Sequence, residues 1–312
     1  MSKQNIKHKL YTGECQITKQ PIPANPSLYD TDRINPKANG GTYTTENTRL
    51  ADPVAHMKRH GNYRDREQFL DDIKKLIDAR EQMRKQLNSS GNRLLAYQRK
   101  TDNLDQDTVD YLEDQLSLTN KQLSRIDRKL TKLIKESPHP VAQSAMKVAS
   151  VGPVTIAYML AYVDIEKAKN ASSLWAYVGL DKPSHDRYEK GVAGGGNKNL
   201  RTVLYTLAES AMKNKKSPYR IIYERATAQK EHSEKLTWSR NTQGKPVQIP
   251  WKETKKSHRH GHALRQIMKH FLADWWFVHR AWEGLDTRPL YVEEKLGHTG
   301  IVRPEERGWI LP

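Results

Sequence analysis

The chain has one cysteine, Cys15, among 312 residues. That excludes a disulfide framework within the chain and a multi-cysteine zinc site. No run approaches the ~18 apolar residues of a membrane span. The opening Met1-Ser2-Lys3-Gln4-Asn5-Ile6-Lys7 has no apolar signal core. These absences lead us to expect a cytoplasmic protein with no membrane partner. Acid is also in short supply, with 36 Asp+Glu against 53 Lys+Arg and a net charge of +17. With a pI near 9.7, the chain calls for an acidic partner, and nucleic acid is the first candidate. The 7 Trp and 14 Tyr exclude a disordered chain.

The texture along the chain predicts four parts. Residues 1–65 are rich in Thr, Asn, Pro and Gly, with short strand-like pieces. Residues 66–137 read as charged helix. Phe69, Ile73, Leu76, Met83 and Leu87 step by three, four or seven, and Ser89-Ser90-Gly91-Asn92 marks a kink or an end. Leu112, Leu116, Leu123, Ile126, Leu130 and Leu133 then form an a/d seam. The expected structure is a long helical hairpin or coiled coil, acting as a dimer seam or a spacer. Ser137-Pro138-His139-Pro140 ends it. Residues 138–284 form a helical unit, interrupted by a polar, irregular stretch at 231–256. It closes with a helix from about Gly261 to Trp282 that carries Leu264, Ile267, Phe271, Leu272, Trp275 and Trp276 inward. Residues 285–312 read as an extended tail.

Two elements at 146–201 carry chemistry. In Val151-Gly152-Pro153-Val154, glycine permits close backbone approach and proline fits the first turn of a helix. The amides just beyond can receive a phosphate at the positive end of the helix dipole. This is helix-hairpin-helix chemistry, which grips backbone and reads no bases. A plain helical corner is the competing reading. Further on, Gly194-Gly195-Gly196-Asn197 opens a helix with Lys198 and Arg201 behind it, suited to hold a phosphate or to position a strand.

The order of pieces resembles the C-terminal domain of insertion-sequence transposases of the Piv/MooV invertase type, the RNA-bridged serine recombinases. The matching pieces are the Val-Gly-Pro turn, Trp175-Ala176-Tyr177-Val178-Gly179-Leu180, the Gly-rich segment through Leu200-Arg201, and the Ser217-Pro218-Tyr219 break. The closing helix and the preceding coil belong to the same pattern. The resemblance implies a mainly α fold, DNA as partner, and transposition or recombination as the process. It also implies a serine nucleophile between Pro183 and the Gly-rich segment. Ser184 is the only serine there. It reads either as a displaced nucleophile, with His185 or Asp186 as helpers, or as an ordinary turn residue. The sequence departs from the family in two ways: it has no Ser-Gly pair in that interval, and residues 1–65 are too short for the family's acidic RNase-H-like domain.

Residues 11–62 resemble instead a small ββα module of HNH endonucleases. The carriers are Asp30-Thr31-Asp32-Arg33, the Gly40-Gly41 loop, Asn47, and His56 in Pro53-Val54-Ala55-His56. The resemblance implies Mg2+ or Mn2+ held by Asp32 and His56 against a scissile phosphate. The position that normally carries a general-base histidine is Arg33. A guanidinium cannot take a proton at physiological pH, but it can clamp a phosphate. The module is then either a residual nickase or a degenerate DNA-binding unit.

The run His258-Arg259-His260-Gly261-His262 reads as a basic helix entrance near phosphates or as a zinc or nickel chelator. Three functions stay open: a DNA-binding protein of transposase lineage that self-associates through its coil, a metal-dependent endonuclease, and a non-catalytic organiser of DNA or structured RNA.

Overall fold

The computed structural model describes residues 3–22, 24–25, 29–34, 42, 44–51, 66–100, 105–181, 195–287 and 302–312. Over these the chain is mainly α-helical, with two small antiparallel two-stranded sheets and several long helices. At the N-terminal end, α1 (Lys3–Leu10), β1 (Asp30–Arg33) and β2 (Thr48–Ala51) accompany a small core of Cys15, Ile22, Tyr29 and Leu50. Cys15 is a buried cysteine whose sulfur accepts from the Thr18 amide at 3.3 Å. It packs there as a small apolar side chain. The strands place Asp32 opposite Arg49 and Arg33 opposite Thr48.

Two long helices follow, α2 (Arg66–Lys100) and α3 (Gln106–Lys135), packed against each other. The break expected at Ser89-Ser90-Gly91-Asn92 is absent, because α2 runs through it. A Cβ on Gly91 would lie 4.0 Å from Leu116 on α3. Packing between the helices there outweighs the ~1 kcal/mol propensity cost of a helical glycine. Asp105 caps α3, accepting from the Thr108 amide at 3.1 Å. Along the a/d stripe, Leu130 and Leu133 are buried and Leu112, Leu116, Leu123 and Ile126 are half-buried. Much of that stripe is therefore covered within one chain.

The main core comprises α4 (Pro140–Ala145), α5 (Pro153–Tyr162), α6 (Ala171–Tyr177), α7 (Lys198–Lys213), α8 (Arg220–Glu231) and α9 (Lys256–Trp282). α9 is its axis and touches α4, α6, α7 and α8. Its residues Leu264, Ile267, Phe271, Leu272, Trp275 and Trp276 are buried at helical spacing, so the tryptophan pair is core packing. α5 is apolar on nearly every face, as a fully enclosed helix should be. Ile156, Ala157, Tyr158 and Met159 are all buried. α7 lies against α5, as do α2 and α3.

Two expectations are corrected here. The stretch read as irregular contains a hairpin, β3 (Leu236–Arg240) paired with β4 (Pro246–Pro250), and its turn uses Gly244 at φ 77°. The tail read as extended returns to the core over 302–312. Trp309 is buried, the Ile310 amide donates to Ser144 Oγ at 2.8 Å, and the Ile310 carbonyl accepts from Trp282 Nε1 at 3.0 Å. Burying a large indole favours docking over an extended arm. No helix among the described residues is long and apolar enough to cross a membrane.

Candidate functional site

The end of α6 and the start of α7 meet backbone to backbone. Gly179 and Gly196 both have left-handed φ, at 68° and 94°. A Cβ on Gly179 would lie 2.7 Å from the Gly195 carbonyl oxygen. Only glycine permits both the conformation and the approach. Asn197 fixes this joint. Its amide donates to the Tyr177 carbonyl at 2.7 Å, its Nδ2 donates to Tyr177 Oη at 3.1 Å, and its Oδ1 accepts from the Leu200 amide at 2.9 Å. The last bond caps α7. Lys198 is exposed at the first position of α7, and Arg201 lies one turn on, beside Gly179. Gly195 and Gly196 are exposed. Gly194 lies outside the described residues.

The Gly-Pro turn opens α5, with Gly152 at the N-cap and Pro153 at the first position. Gly152 has an ordinary φ of −91°, and the positive φ, 79°, belongs to Ser150. Ser150 Oγ accepts from Asn214 Nδ2 at 3.0 Å, and the Ala149 carbonyl accepts from Ser217 Oγ at 3.4 Å. A Cβ on Gly152 would meet nothing within 4 Å. That face is open to an approaching backbone. Gly152, Pro153 and Val154 are half-buried, while Lys147 before the turn and Lys213, Lys215 and Lys216 beside Asn214 are exposed.

α5 and α7 run antiparallel. Asn214, just past α7, holds Ser150 ahead of α5, and Asn199 in the first turn of α7 hydrogen-bonds Tyr162 at the end of α5. The turn and the Lys198–Arg201 joint therefore occupy opposite ends of one helix pair, about 15–20 Å apart at 1.5 Å per residue.

Sequence reasoning missed a third feature. A groove of about 890 Å³ lies between the β3–β4 hairpin and α9, lined by Trp238, Arg240, Gly244, Lys255, His258 and Arg265 among others. None of its described lining residues is acidic. Trp238 is 37% exposed, and an indole among cations offers a stacking face for a base. The signal was an aromatic residue interleaved with Lys235, Arg240 and Lys245. The histidine run does not converge on one point. His258 and His262 pack on Trp251, with ring centroids 5.1 and 4.7 Å away, while His260 Nδ1 shares a 2.8 Å hydrogen bond with Tyr223 Oη. Burial, then the nearby Lys230 and Arg265, pushes His262 down to about 4.

In the N-terminal sheet, Asp32 is buried and its Oδ2 accepts from Arg49 Nε at 2.9 Å. Arg33 is half-buried beside it. His56 and Ser184, with Ser184's neighbours His185 and Asp186, lie outside the described residues.

Among the described residues, one group has donor types and spacing that suit a metal. His139, His279 and Glu283 bring their ligand atoms within 4.8 Å of one another. His139 occupies the N-cap position of α4, and His279 and Glu283 lie one turn apart at the end of α9. Arg66, the first residue of α2, donates from Nε to His139 Nε2 at 2.8 Å and pairs through Nη2 with Glu283 Oε1. Burial, and then the Arg66 guanidinium, pushes the His139 imidazole down to about 3. It is neutral at physiological pH, the form that accepts a hydrogen bond or ligates a metal.

These features define a helical domain with basic residues exposed at separate points of its surface. Residues 142–224 match the model of the transposase IS116/IS110/IS902 family. The matched stretch runs from within α4 to within α8. It holds the Gly152 turn, the glycine joint, Lys198 and Arg201. No curated protein and no solved structure matches the chain.

Proposed function

We propose that this chain is a DNA-binding protein of insertion-sequence transposase lineage, of the Piv/MooV type, acting in DNA transposition or recombination. One observation carries the reading. The transposase-family stretch contains the open Gly152 turn and the Lys198–Arg201 joint at the two ends of one packed helix pair, and both suit phosphate. Contacts of this kind position a duplex and read no sequence. The N-terminal hairpin then serves as a degenerate HNH-like unit. Arg33 would clamp phosphate there, while Asp32 pairs with Arg49. Structured RNA is the alternative ligand, favoured by the exposed Trp238 in a basic groove.

The test is binding to duplex DNA and to folded RNA across a salt series. Affinity should fall steeply with salt. Lys198→Ala with Arg201→Ala should weaken binding for all sequences alike and flatten the log–log salt slope by about 2. Unchanged affinity and slope would sink the reading, and a clear preference for folded RNA would move it to the RNA form. Supercoiled plasmid with Mg2+ or Mn2+ tests strand chemistry separately. Nicking lost in His56→Ala assigns it to the N-terminal module, and nicking lost in Ser184→Ala assigns it to the recombinase-type serine. No product in the unmodified chain leaves a binding protein.

A further inference from the structure

We propose that His139, His279 and Glu283 form a binding site for a divalent transition metal of the zinc class, which Arg66 fills as a resident cation when metal is absent. The two imidazoles are almost completely enclosed, at 2% and 4% exposure. Buried polar atoms are nearly always hydrogen-bonded, yet among the described residues His139 Nδ1 and His279 Nδ1 have no hydrogen-bond partner, and His279 Nε2 has only Glu283 near it. His279 Nε2 comes within 3.5 Å of Glu283 Oε1, too far for a good hydrogen bond. A core that strands ring nitrogens beside a carboxylate is well matched to an ion.

Arg66 shows what the cluster attracts. Its guanidinium bonds His139 and Glu283 at once, so the lone pair and the charge a metal would use are already turned toward a cation. The Arg66 side chain is 51% exposed, whereas the residues it touches are not. It enters from outside and can withdraw without disturbing the core. The donor set selects the ion. Two imidazoles with one carboxylate suit zinc and its neighbours, while magnesium and calcium take oxygen ligands. Three protein ligands leave a fourth position open. Trp275 stands edge-on to His279 with centroids 5.5 Å apart, an aromatic wall of the kind that limits water at a metal site. The site ties the residue after the coil to the last turn of α9. It is separate from the Asp32–His56 reading and independent of nucleic-acid binding.

The experiment uses the full chain stripped with a chelator and titrated with zinc chloride against a chromophoric zinc indicator. Circular dichroism checks the fold of each variant. One equivalent of zinc should bind, and its binding should be lost in His279→Gln and in Glu283→Gln. Arg66→Ala should bind roughly tenfold more tightly, the worth of one charge-assisted hydrogen bond released. No zinc binding by the unmodified chain or by the folded Arg66→Ala variant overturns the proposal. So does binding that survives His279→Gln with Glu283→Gln and disappears in His258→Gln with His262→Gln, which would put the ion on the exposed side of α9.

Discussion

Gly196 packs directly onto Gly179: a Cβ on Gly196 would lie 2.6 Å from the Gly179 amide nitrogen and 2.8 Å from the Val178 carbonyl carbon. The obstructing atoms are backbone and cannot rotate away. The pair brackets the stretch that holds Ser184 and fixes where Lys198 and Arg201 emerge.

Gly196→Ala should therefore be severe. A left-handed φ costs an L-residue about 1–2 kcal/mol and overpacking about 1–3 kcal/mol, for roughly 2–5 kcal/mol in all. Gly195→Ala is the control, because its Cβ would meet nothing within 4 Å. Urea denaturation of both variants checks this. Equal losses would show that the Gly179 contact is not what limits the position.

The docked tail should carry a pH signature. Arg307 donates to Asp274 Oδ1 at 2.7 Å and Oδ2 at 3.0 Å, Tyr219 Oη donates to Oδ2 at 2.6 Å, and Trp309 Nε1 donates to Tyr219 Oη at 2.9 Å. Burial pushes Asp274 up to about 6, against the downward pull of Arg307 and Tyr219. The folded value lies above the unfolded value of about 3.9. The folded state therefore holds this proton more tightly, and the group's contribution is fully present below pH ~4 and lost as pH rises through ~6. Arg307→Ala leaves the carboxylate buried without its cation. It should cost about 3–5 kcal/mol at pH 7.5 and distinctly less at pH 4.5, where Asp274 is neutral. Denaturation of both proteins at the two pH values measures the difference, and a loss independent of pH would rule out Asp274 as its source.

What the sequence made legible follows from local physics. The long helices α2 and α3, the α9 stripe and the Gly152 and Gly196 positions are marked by periodicity and by residue types with narrow conformational uses. Gly91 misled because helix propensity is weak against packing on Leu116. The β3–β4 hairpin escaped because its alternation is only two residues long in each strand, Leu236 and Trp238 lie on the opposite face from Val247 and Ile249, and neither face is fully buried. Gly179 meeting Gly196, Arg307 meeting Asp274 and His139 meeting His279 are tertiary pairings with no sequence signal. Only the one-turn spacing of His279 and Glu283 was visible along the chain.

The α2–α3 pair should be energetically joined to the core through Tyr158. This enclosed phenol on α5 donates to Glu81 Oε1 and accepts from Arg80 Nη1 at 3.1 Å, while Arg80 Nε donates to Asp127 Oδ1 on α3 at 2.6 Å. Burial and the Glu81 bond raise the phenol's pKa, so it stays protonated and keeps donating. Tyr158→Phe leaves the buried Glu81 with Arg84 Nη1 at 3.2 Å but without the phenol's donation, and should cost about 1–3 kcal/mol. Glu81→Leu in the same chain should recover part of that loss, because removing both partners spares the desolvation penalty. A double-mutant cycle by denaturation tests this, and strictly additive losses would count against the bond.

Gly152→Ala separates a structural turn from a contact surface. The glycine's φ is ordinary and the space for a Cβ is open. Alanine caps a helix less well than glycine, but it also lowers the entropy of the unfolded chain. These effects oppose each other, and stability should change by less than about 1 kcal/mol. A phosphate approaching the turn would meet the new methyl group. Binding to duplex DNA should therefore weaken while the denaturation curve stays in place. If Gly152→Ala binds DNA as well as the unmodified chain, the turn is a plain helical corner and the Lys198–Arg201 end of the helix pair holds the DNA without it.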